Sequence, residues 1–412
     1  MAAVRGAAYT RLWLPTIRHR QPVGLFRSAA RRPKAGHTIT DQRTIDERPP
    51  LEAVAPEQRP RPQVPARDRR FLPRAVADVH GRRRDVALQH PHPRLLQLAH
   101  WLTPAFYIDF GRPCNSACIY CAVPPHEDAQ GFLPFAEVES IVAAGKQTGC
   151  DRAILIGGEP TIYPYLPQVL TALRAADLRD HIVMTNGLRL AEPAFVAMLA
   201  DNGVATVHLS LDTTDADTYD RLSRSTGKLG KQLQALHNVL REPRLNLYLY
   251  TATSALNAPH LAQMLEDVAQ AAKTAGVVAP PVVLAVIKPL GDAARHADQL
   301  LLAPRHAVDI VRHLVQLGDE LGIAVGHRNL QACLAPDLID RNVDYYLDDY
   351  SVQVATGQRL PFSHGQYWYK LPSCSDCGHF DLCTGLYRDT TARYGESEYV
   401  PIGRLELGPA AT

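Results

Sequence analysis

Short apolar segments alternate with helical patterns along the middle of this chain. Six segments of four to nine residues are rich in aliphatic, β-branched and aromatic residues and are predicted to be buried strands. They lie at residues 106–110, 153–156, 181–185, 205–211, 245–253 and 282–287. Each is followed by a stretch in which apolar residues recur at helical spacing, at residues 135–148, 165–176, 192–201, 229–241, 258–275 and 305–321.

Six strand–helix units in series predict an α/β fold, a partial (β/α)6 TIM-like barrel of parallel strands with its helices outside. The length of 412 residues and the hydrophobic content of 46% are sufficient for this barrel and a smaller module. We therefore predict the barrel at residues 93–325 and the module at residues 326–412. Ligands of such folds bind at the carboxyl ends of the strands, so the residues that follow each strand are the candidates for chemistry.

Residues 1–92 are predicted to be a basic, Pro- and Arg-rich disordered tail. Residues 1–100 contain 20 Lys and Arg against 8 Asp and Glu, a net charge of +12, whereas the remainder carries 24 against 34, or −10. The alternative for residues 1–35 is an organelle transit peptide, because they are Arg-rich and contain no acidic residue. The tail lacks aromatic interleaving and helical periodicity, which disfavours nucleic-acid binding. No apolar run reaches the roughly 18 residues of a membrane span, so we expect a soluble protein without a membrane partner.

Three cysteines, Cys114, Cys118 and Cys121, follow the first predicted strand within eight residues. A loop this short can point three sulfurs at one centre, either a metal ion or an iron–sulfur cluster. A four-iron cluster held by three thiolates has one iron without a protein ligand, where a small molecule can bind. Clustered cysteines in a chain of this length without a clear secretory signal favour metal binding over disulfides, and they favour a reducing cytoplasm.

Polar or flexible residues follow the other strands at the same end of the predicted barrel. Residues 157–160, Gly-Gly-Glu-Pro, follow the second strand, and the two glycines let a ligand approach the backbone closely. Asn186 follows the third strand, and Ser210 and Asp212 lie at the end of the fourth. Each of these is ordinary loop chemistry when taken alone. Together with the thiols, they indicate one site along one edge of the sheet.

The spacing of the three cysteines resembles the CxxxCxxC signature of the radical S-adenosylmethionine (radical SAM) enzyme superfamily, including the aromatic Tyr120 before the last cysteine. Residues 157–160 are similar to its GGEP motif, and residues 185–187, 209–212 and 224–227 follow in the order of the same core. The resemblance covers residues 104–290 as a fold and extends to the C-terminal cysteines. A lone CxxxCxxC could hold zinc, but its combination with GGEP at a strand end is specific.

The resemblance implies that Cys114, Cys118 and Cys121 bind three irons of a [4Fe–4S] cluster and that S-adenosylmethionine chelates the fourth iron. An electron from the cluster then cleaves S-adenosylmethionine to methionine and a 5′-deoxyadenosyl radical, which abstracts hydrogen from a substrate. The implied cofactor-binding residues are Tyr120, Gly157, Gly158, Glu159, Pro160, Asn186, Ser210, Asp212 and Arg224. Residues 157–160 are the candidates for the amino group, Ser210 and Asp212 for the ribose or the carboxylate, and Arg224 for the carboxylate.

Cys374, Cys377 and Cys383 form a second group near the C-terminus, and Cys333 lies about forty positions upstream. Residues 350–355 and 359–362 flank a Thr-Gly-Gln turn and predict a β-hairpin. The arrangement resembles the auxiliary-cluster extensions named SPASM and twitch, although the full SPASM pattern has seven cysteines and two clusters. One auxiliary [4Fe–4S] cluster on these four cysteines is the prediction, and a structural zinc is the alternative. Cys333 stays open between a ligand and a core thiol.

Two further groups receive structural interpretations. Cys150 stands alone after a glycine and is predicted to be a small buried residue. Residues 367–369, Tyr-Trp-Tyr, are predicted to pack the C-terminal module rather than to form a platform for substrate.

The sequence therefore predicts a cytoplasmic radical SAM enzyme, with a peptide or protein favoured as its substrate. The lack of an N-terminal domain shaped to bind a leader peptide counts against a peptide, and small-molecule or cofactor biosynthesis is the alternative. The expected protein partner is an electron donor such as flavodoxin or ferredoxin. The alternative of another class is a non-catalytic iron–sulfur or zinc protein, which would need the thiolates but not residues 157–160, Ser210 or Asp212.

Overall fold

The structure is a computed structural model that describes residues 95, 105–122, 131–147, 149–345, 350–353, 358–361, 368–380, 383 and 385–403. Seven parallel strands form one sheet in chain order: β1 (Ala105–Asp109), β2 (Arg152–Ile156), β3 (His181–Thr185), β4 (Val204–Ser210), β5 (Asn246–Thr253), β6 (Val282–Val286) and β7 (Val325–Arg328). The predicted parallel α/β fold is confirmed. The predicted tail at residues 1–92 lies outside the described residues.

Helices connect successive strands, as crossover connections between parallel neighbours require. The described α-helices are α1 (Phe135–Gln147), α2 (Leu166–Ala175), α3 (Pro193–Asp201), α4 (Ala216–Ser223), α5 (Leu229–Arg241), α6 (Leu261–Thr274), α7 (Asp292–Arg295), α8 (Ala297–Leu300), α9 (Pro304–Leu321) and α10 (Arg388–Tyr394). In this part of the chain, none of the helices combines the length and the apolar character needed to cross a membrane.

Alternation along the strands gives the sheet two different faces. One face packs against the helices, and Leu155, Val207, Leu249 and Leu284 are all buried there in the main core. The opposite face carries a smaller buried cluster of Leu95, Tyr248, Val283, Ala324 and Val343, with Tyr250 packed against it. Side chains on this second face, which we call the inner face, point away from the helices.

The hydrophobic pattern does not predict β7, because its sequence Val-Gly-His-Arg has a single aliphatic residue. Tertiary contacts specify the strand instead. A Cβ on Gly326 would lie 2.9 Å from Val343 and 3.1 Å from Leu95, so only glycine fits there without movement. The buried imidazole of His327 contacts the carbonyl oxygen of Leu338 through Nε2 at 3.1 Å.

The pattern likewise does not predict α4, which is short and mostly polar. It is stabilised by its N-cap, because the side chain of Asp215 accepts a hydrogen bond from the backbone N–H of Thr218 at 2.8 Å.

The C-terminal residues form two small antiparallel pairs. Strands β8 (Tyr350–Gln353) and β9 (Gln358–Pro361) pair as the hairpin signal predicts, and the connection at residues 354–357 lies outside the described residues. Strands β10 (Trp368–Tyr369) and β11 (Leu386–Tyr387) pair around the segment that contains three of the C-terminal cysteines. The pairing of β8 with β9 confirms the predicted hairpin.

Candidate active site

The loop at residues 114–121, called the cysteine loop below, leaves the carboxyl end of β1. Its entry is bonded to the end of β2, because Gly158 donates its N–H to the carbonyl oxygen of Gly111 at 2.7 Å. A Cβ on Gly158 would lie 2.3 Å from the carbonyl oxygens of Arg112 and Pro113. The second glycine of the Gly-Gly-Glu-Pro segment is therefore required for the close approach of two backbones.

The middle and the end of the cysteine loop are held from the other side. The N–H of Ala117 donates to the carbonyl oxygen of Ser223 at the end of α4, at 3.1 Å. The N–H of Asp292, the first residue of α7, donates to the carbonyl oxygen of Cys121 at 2.9 Å. Backbone bonds thus fix the loop from three elements that are distant in the sequence.

The three thiols of the loop lie close enough for their charges to interact. Burial, together with the charges of Asp212, Cys114 and Cys121, raises the pKa of Cys118 to about 12, and a hydrogen bond with Tyr120 opposes the rise. Burial also raises the pKa of Cys114. Without a cation these side chains are protonated near neutral pH, and iron binding would displace the protons. Three thiols gathered on one loop are a donor set that fits an iron–sulfur cluster.

Within the described residues, no three Cys, His, Asp or Glu side chains converge tightly enough to hold a single metal ion. A [4Fe–4S] cluster is larger than one ion, so its ligand sulfurs stand further apart than the ligands of zinc. Metal analysis therefore distinguishes a zinc ion from an iron–sulfur cluster at these three thiols.

Asn186 contacts the cysteine loop directly. Its side-chain amide donates to Oδ1 of Asn115 at 2.7 Å and lies 3.9 Å from Sγ of Cys114. Its backbone N–H donates to Oε2 of Glu159 at 2.8 Å. The structure therefore places this predicted cofactor contact beside the Cys114 thiol, where it orients the loop.

Glu159 is 2% exposed and joins the ends of β2 and β3. Its Oε1 accepts from the backbone N–H of Thr161 at 3.0 Å, from the Thr161 hydroxyl and from the Thr185 hydroxyl at 2.6 Å. Burial raises the pKa of Glu159, and these hydrogen bonds oppose the rise. Since Oε1 already has three donors, Oε2 is the atom with capacity for an ammonium group among the described contacts.

Tyr120 and Asp212, both predicted cofactor contacts, are paired with each other. The Tyr120 hydroxyl donates to Oδ2 of Asp212, and Oδ1 of Asp212 accepts from the N–H of Ala252 at 2.7 Å. Burial raises the pKa of Asp212 to about 6, against the lowering effect of the Tyr120 hydroxyl. Burial, with the Asp212 charge adding to it, raises the pKa of Tyr120 well above its ordinary value. The pair ties the cysteine loop to the end of β4.

Sequence reasoning missed Gln232, which is 4% exposed on α5. Its side-chain amide donates to the carbonyl oxygens of Ser210 at 2.8 Å and of Asn186 at 3.0 Å. The available signal was a polar residue at a helix position where the periodic pattern places an apolar one. Gln232 links the ends of β3 and β4, and so it positions two of the predicted contacts.

Lys228, at the N-terminus of α5, was also not singled out from the sequence. Its Nζ donates to the carbonyl oxygen of Asn115 in the cysteine loop at 3.0 Å.

Arg224 lies apart from the gathered residues. It ends α4 in the left-handed conformation with φ +50°, and its exposed guanidinium lies 2.9 Å from Nε2 of His296. Pro160 is buried and begins the 3-10 helix Pro160–Ile162. Pro160 is thus buried at the end of the Gly-Gly-Glu-Pro segment, whereas the Arg224 side chain is directed to the surface.

The structure brings Cys333 to the other C-terminal cysteines. A cavity in this region is lined by Ala332, Cys333, Lys370, Cys374, Cys377, His379, Phe380, Cys383, Leu386, Tyr399 and Pro401. Burial raises the pKa of Cys333 to about 12, and the charges of Cys383, Cys377 and Cys374 add to the rise. Sγ of Cys383 accepts from the N–H of Gly385 at 3.4 Å. We call Cys333, Cys374, Cys377 and Cys383 the C-terminal cysteine set. Cys150, in contrast, is buried in the main core, as predicted.

The protein-family model described as the radical SAM superfamily matches residues 108–268. Among curated relatives, a probable GTP 3′,8-cyclase of Methanocella arvoryzae is 32% identical over 127 residues, which is 31% of this chain and 40% of the relative. A GTP 3′,8-cyclase of Alkaliphilus oremlandii is 29% identical over 133 residues, with the same two coverages. The chain therefore spans about 40% of the length of these relatives.

Solved structures show the same fold at low identity. Streptococcus suis SuiB bound to the precursor peptide SuiA matches with a TM-score of 0.53 and 13% identity, covering 82% of each chain. The structure of anSMEcpe with bound AdoMet and the Kp18Cys peptide matches with a TM-score of 0.50 and 16% identity, covering 73% of this chain and 93% of that one. The likeness concerns the fold, and the predicted partial TIM-like barrel is confirmed.

Proposed function

We propose that this chain, which carries a radical SAM domain at residues 108–268, cleaves S-adenosylmethionine reductively and abstracts hydrogen from a substrate. The family match and the relatives indicate an enzyme of the radical SAM type. The observation that carries the proposal is the backbone contact between the residues that lead into the cysteine loop, Gly111 and Pro113, and the Gly-Gly-Glu-Pro segment at the carboxyl end of the sheet. A non-catalytic metal protein would need the thiols but not the Gly-Gly-Glu-Pro segment.

Cys114, Cys118 and Cys121 are proposed to hold three irons of a [4Fe–4S] cluster. When bound and reduced, this cluster supplies the electron that splits S-adenosylmethionine into methionine and a 5′-deoxyadenosyl radical. Two contacts fix the loop that carries the thiols: the backbone bond from Gly158 to Gly111, and the hydrogen bond from Tyr120 to Asp212. Because the loop is held in advance, cofactor binding does not require the backbone to be ordered first.

The other cofactor contacts are proposals with different support. Oε2 of Glu159 and the backbone carbonyls of residues 157–160 are acceptors suited to the amino group of S-adenosylmethionine. Ser210 lies at the end of β4 beside Asp212, where ribose or carboxylate oxygens can be bound. Arg224 reaches a carboxylate only if its side chain leaves His296.

We propose one auxiliary [4Fe–4S] cluster on the C-terminal cysteine set, in a SPASM- or twitch-like module at residues 326–412. The convergence of Cys333 with the other three cysteines supports four protein ligands. Iron and zinc analysis of anaerobically purified protein tests this proposal. About eight irons and no zinc per chain are expected. About four irons with one zinc would instead assign zinc to the set.

A second candidate concerns the substrate, which is proposed to be a small molecule handled in cofactor biosynthesis. The relatives named GTP 3′,8-cyclase favour it over the peptide that the sequence favoured. GTP is the probe that follows from those names. Its consumption in the presence of S-adenosylmethionine and reductant supports the candidate, whereas unchanged GTP excludes that nucleotide as the substrate.

The direct test of the main proposal uses anaerobically reconstituted protein with S-adenosylmethionine and dithionite, and it measures 5′-deoxyadenosine. Wild type and the Cys150→Ala control are expected to form it, and Cys118→Ala is expected to form none above background. Equal amounts from all three proteins would exclude cleavage at the cysteine loop. A flavodoxin or ferredoxin in place of dithionite tests the proposed electron donor.

A further inference from the structure

Asn186 follows β3 at the carboxyl end of the sheet, and its side chain faces the first cysteine of the cysteine loop. The carboxamide has one acceptor oxygen and two protons on Nδ2. Its Oδ1 accepts a hydrogen bond from the backbone N–H of Leu188 at 3.1 Å, and this contact identifies which end of the amide is the oxygen. Nδ2 therefore points the other way, toward the cysteine loop.

Two described acceptors lie in front of Nδ2, one for each of its protons. The first is Oδ1 of Asn115 at 2.7 Å, and the second is Sγ of Cys114 at 3.9 Å. Sulfur is a larger and weaker acceptor than oxygen, so its contact with an N–H group is longer. Among the described contacts, both protons are directed at the loop and not at a site for S-adenosylmethionine, which is the role that the resemblance implied for Asn186.

Neighbouring side chains fix both partners of this amide contact. Gln232 donates to the backbone carbonyl oxygen of Asn186 at 3.0 Å, and the backbone N–H of Asn186 donates to Oε2 of Glu159 at 2.8 Å. On the loop side, Nζ of Lys228 donates to the carbonyl oxygen of Asn115 at 3.0 Å. Lys228 and Gln232 are four positions apart at the start of α5, so they lie on one face of that helix. The same helix thus holds Asn186 and Asn115 against each other.

The Cys114 thiol also has backbone donors. Burial raises its pKa, and the backbone N–H groups of Ser116 and Asn115 oppose the rise. A donor aimed at a ligand sulfur stabilises negative charge on that sulfur. A reduced iron–sulfur cluster carries one more negative charge than the oxidised cluster, so such a donor favours reduction and raises the reduction potential.

We propose that the side-chain amide of Asn186 donates to the sulfur of Cys114 and so raises the reduction potential of the cluster on the cysteine loop. This deepens the proposed function and rests on its [4Fe–4S] cluster. The affected step is the transfer of one electron from the electron donor to the oxidised cluster, in which no bond forms or breaks. Asn186 is a positioning residue in this step, because it contacts a proposed ligand and not the substrate.

The test measures the reduction potential of the cluster in the anaerobically reconstituted full chain, by electron paramagnetic resonance of samples poised at a series of potentials. The signal that is absent from Cys118→Ala belongs to the cysteine loop. Asn186→Asp keeps an oxygen for the N–H of Leu188 but has no donor for the sulfur. Asn186→Ser is neutral, and its hydroxyl is too short to reach the sulfur.

Asn202→Asp is the matched control. Asn202 follows α3 and precedes β4, at the amino edge of the sheet, and its side-chain amide donates to the carbonyl oxygen of Met198 at 2.8 Å. The substitution therefore makes the same change of charge at the opposite edge from the cysteine loop. Iron content and the 5′-deoxyadenosine formed with dithionite are measured on each preparation.

At a fixed potential, the ratio of reduced to oxidised cluster is expected to fall about threefold in Asn186→Ser, as the loss of one hydrogen bond implies. Asn186→Asp should lower this ratio about tenfold, which is about 59 mV for a one-electron couple, because it also adds a negative charge. Asn202→Asp should match wild type. Asn186→Ser alone decides the matter if Asn186→Asp does not retain the cluster.

An unchanged potential in the Asn186 variants overturns the proposal and leaves the proposed function standing. Loss of the cluster from both variants would make Asn186 a structural residue and also overturns the proposal. A wild-type preparation with no cluster at the cysteine loop overturns the proposal and the proposed function together. A shifted potential in the variants, with no 5′-deoxyadenosine from wild type, contradicts the proposed function alone.

Discussion

The cysteine loop and the C-terminal cysteine set offer similar thiols but are assembled in different ways. The loop carries its three cysteines within eight residues, and backbone bonds from Gly158, Ser223 and Asp292 hold it against the sheet. The C-terminal set spans residues 333–383, and the described residues in this range form short strands and 3-10 helices. The first site is therefore specified locally, whereas the second depends on how a distant residue is docked.

Among the described contacts, a side-chain hydrogen bond links the segment that carries Cys333 to the C-terminal residues. Gln331, two residues earlier, is 8% exposed, and its side-chain amide donates to the carbonyl oxygen of Gly385 at 2.9 Å. Gly385 has φ +100°, and a Cβ there would lie 2.6 Å from the carbonyl oxygen of Tyr369. The comparison teaches that one site follows from sequence spacing and backbone contact with the sheet, and that the other depends on tertiary contacts such as that between Gln331 and Gly385. It predicts that the two sites respond separately to mutation.

The largest expected effect is that of Cys118→Ala, which removes one of the three proposed cluster ligands in the cysteine loop. About four of the eight proposed irons should be lost, because a cluster with two protein ligands is not retained, while the C-terminal set keeps its own. Iron and sulfide analysis with electron paramagnetic resonance of the reduced protein measures this. Cys150→Ala is the matched control and should keep all of its iron. Loss of all eight irons from Cys118→Ala would show that the two sites are not independent.

Gly158→Ala should have the next largest effect, and it tests the backbone contact rather than a ligand. The added Cβ would lie 2.3 Å from two carbonyl oxygens, so the loop must move away from the end of β2. We expect cluster occupancy at the loop to fall about tenfold, which corresponds to a loss of about 1.4 kcal/mol in the free energy of cluster binding. The measurement is iron content together with 5′-deoxyadenosine formation.

Gly230→Ala is the control for that substitution, because Gly230 lies in α5 and nothing stands within 4 Å of an added Cβ. It should stabilise the helix by up to about 1 kcal/mol and leave the cluster unchanged. Equal cluster occupancy in Gly158→Ala and Gly230→Ala would show that the loop binds its cluster without the close backbone contact at Gly158.

Gln331→Ala should act on the C-terminal set alone. It removes one buried hydrogen bond and leaves the Gly385 carbonyl without that donor, a cost of about 1–3 kcal/mol. We expect iron to leave the C-terminal set at least about fivefold faster in the presence of a chelator, with no change at the cysteine loop. The control is Gln263→Ala, whose amide bonds only its helix neighbour Asp267 among the described contacts. Equal release from both sites would contradict a role of the Gln331–Gly385 hydrogen bond that is specific to the C-terminal set.

The same contrast explains what could be predicted from the sequence. The CxxxCxxC and GGEP motifs both lie within residues 108–268, which the radical SAM family model matches, and both are contiguous and follow strands with clear hydrophobic patterns. Six strands were predicted within a few residues of their observed ends. The seventh, β7, was missed because contacts of Gly326 and His327 specify it, and these involve residues outside the strand, such as Leu95 and Leu338. The auxiliary module, the domain bounds and the cytoplasmic location stay predictions.

Residue roles were harder to predict than residue positions. Tyr120 and Asp212 were both assigned to the cofactor, but they bond to each other, because the register of β4 brings its end beside the loop after β1. Gln232 and Lys228 gave no motif, although both donate to carbonyl oxygens around the site. Such partners depend on which helix face meets which strand end, and that is fixed only when the sheet forms.

A further expected effect concerns the sheet that supports both sites; it depends on pH and is absent at neutral pH. His181 begins β3 and is fully buried, and burial lowers its pKa from 6.5 to about 4. As the pH falls below about 6.5, His181 binds a proton in the unfolded chain but stays neutral in the folded protein, so the free energy of unfolding decreases. The decrease reaches about 3 kcal/mol near pH 4 and vanishes above neutral pH. Thermal unfolding of the anaerobic protein at several pH values measures it.

His181→Gln should flatten this dependence, since Gln keeps an acceptor for the N–H of Ala153, which lies 3.3 Å from Nδ1 of His181. His306→Gln, at an exposed position of α9, is the control and should retain the wild-type slope. Both cysteine sites are joined to this sheet, so mild acid should release iron from the two together in wild type and less in His181→Gln. Release from the C-terminal set alone would mean that its docking, and not the sheet, is the first element to open.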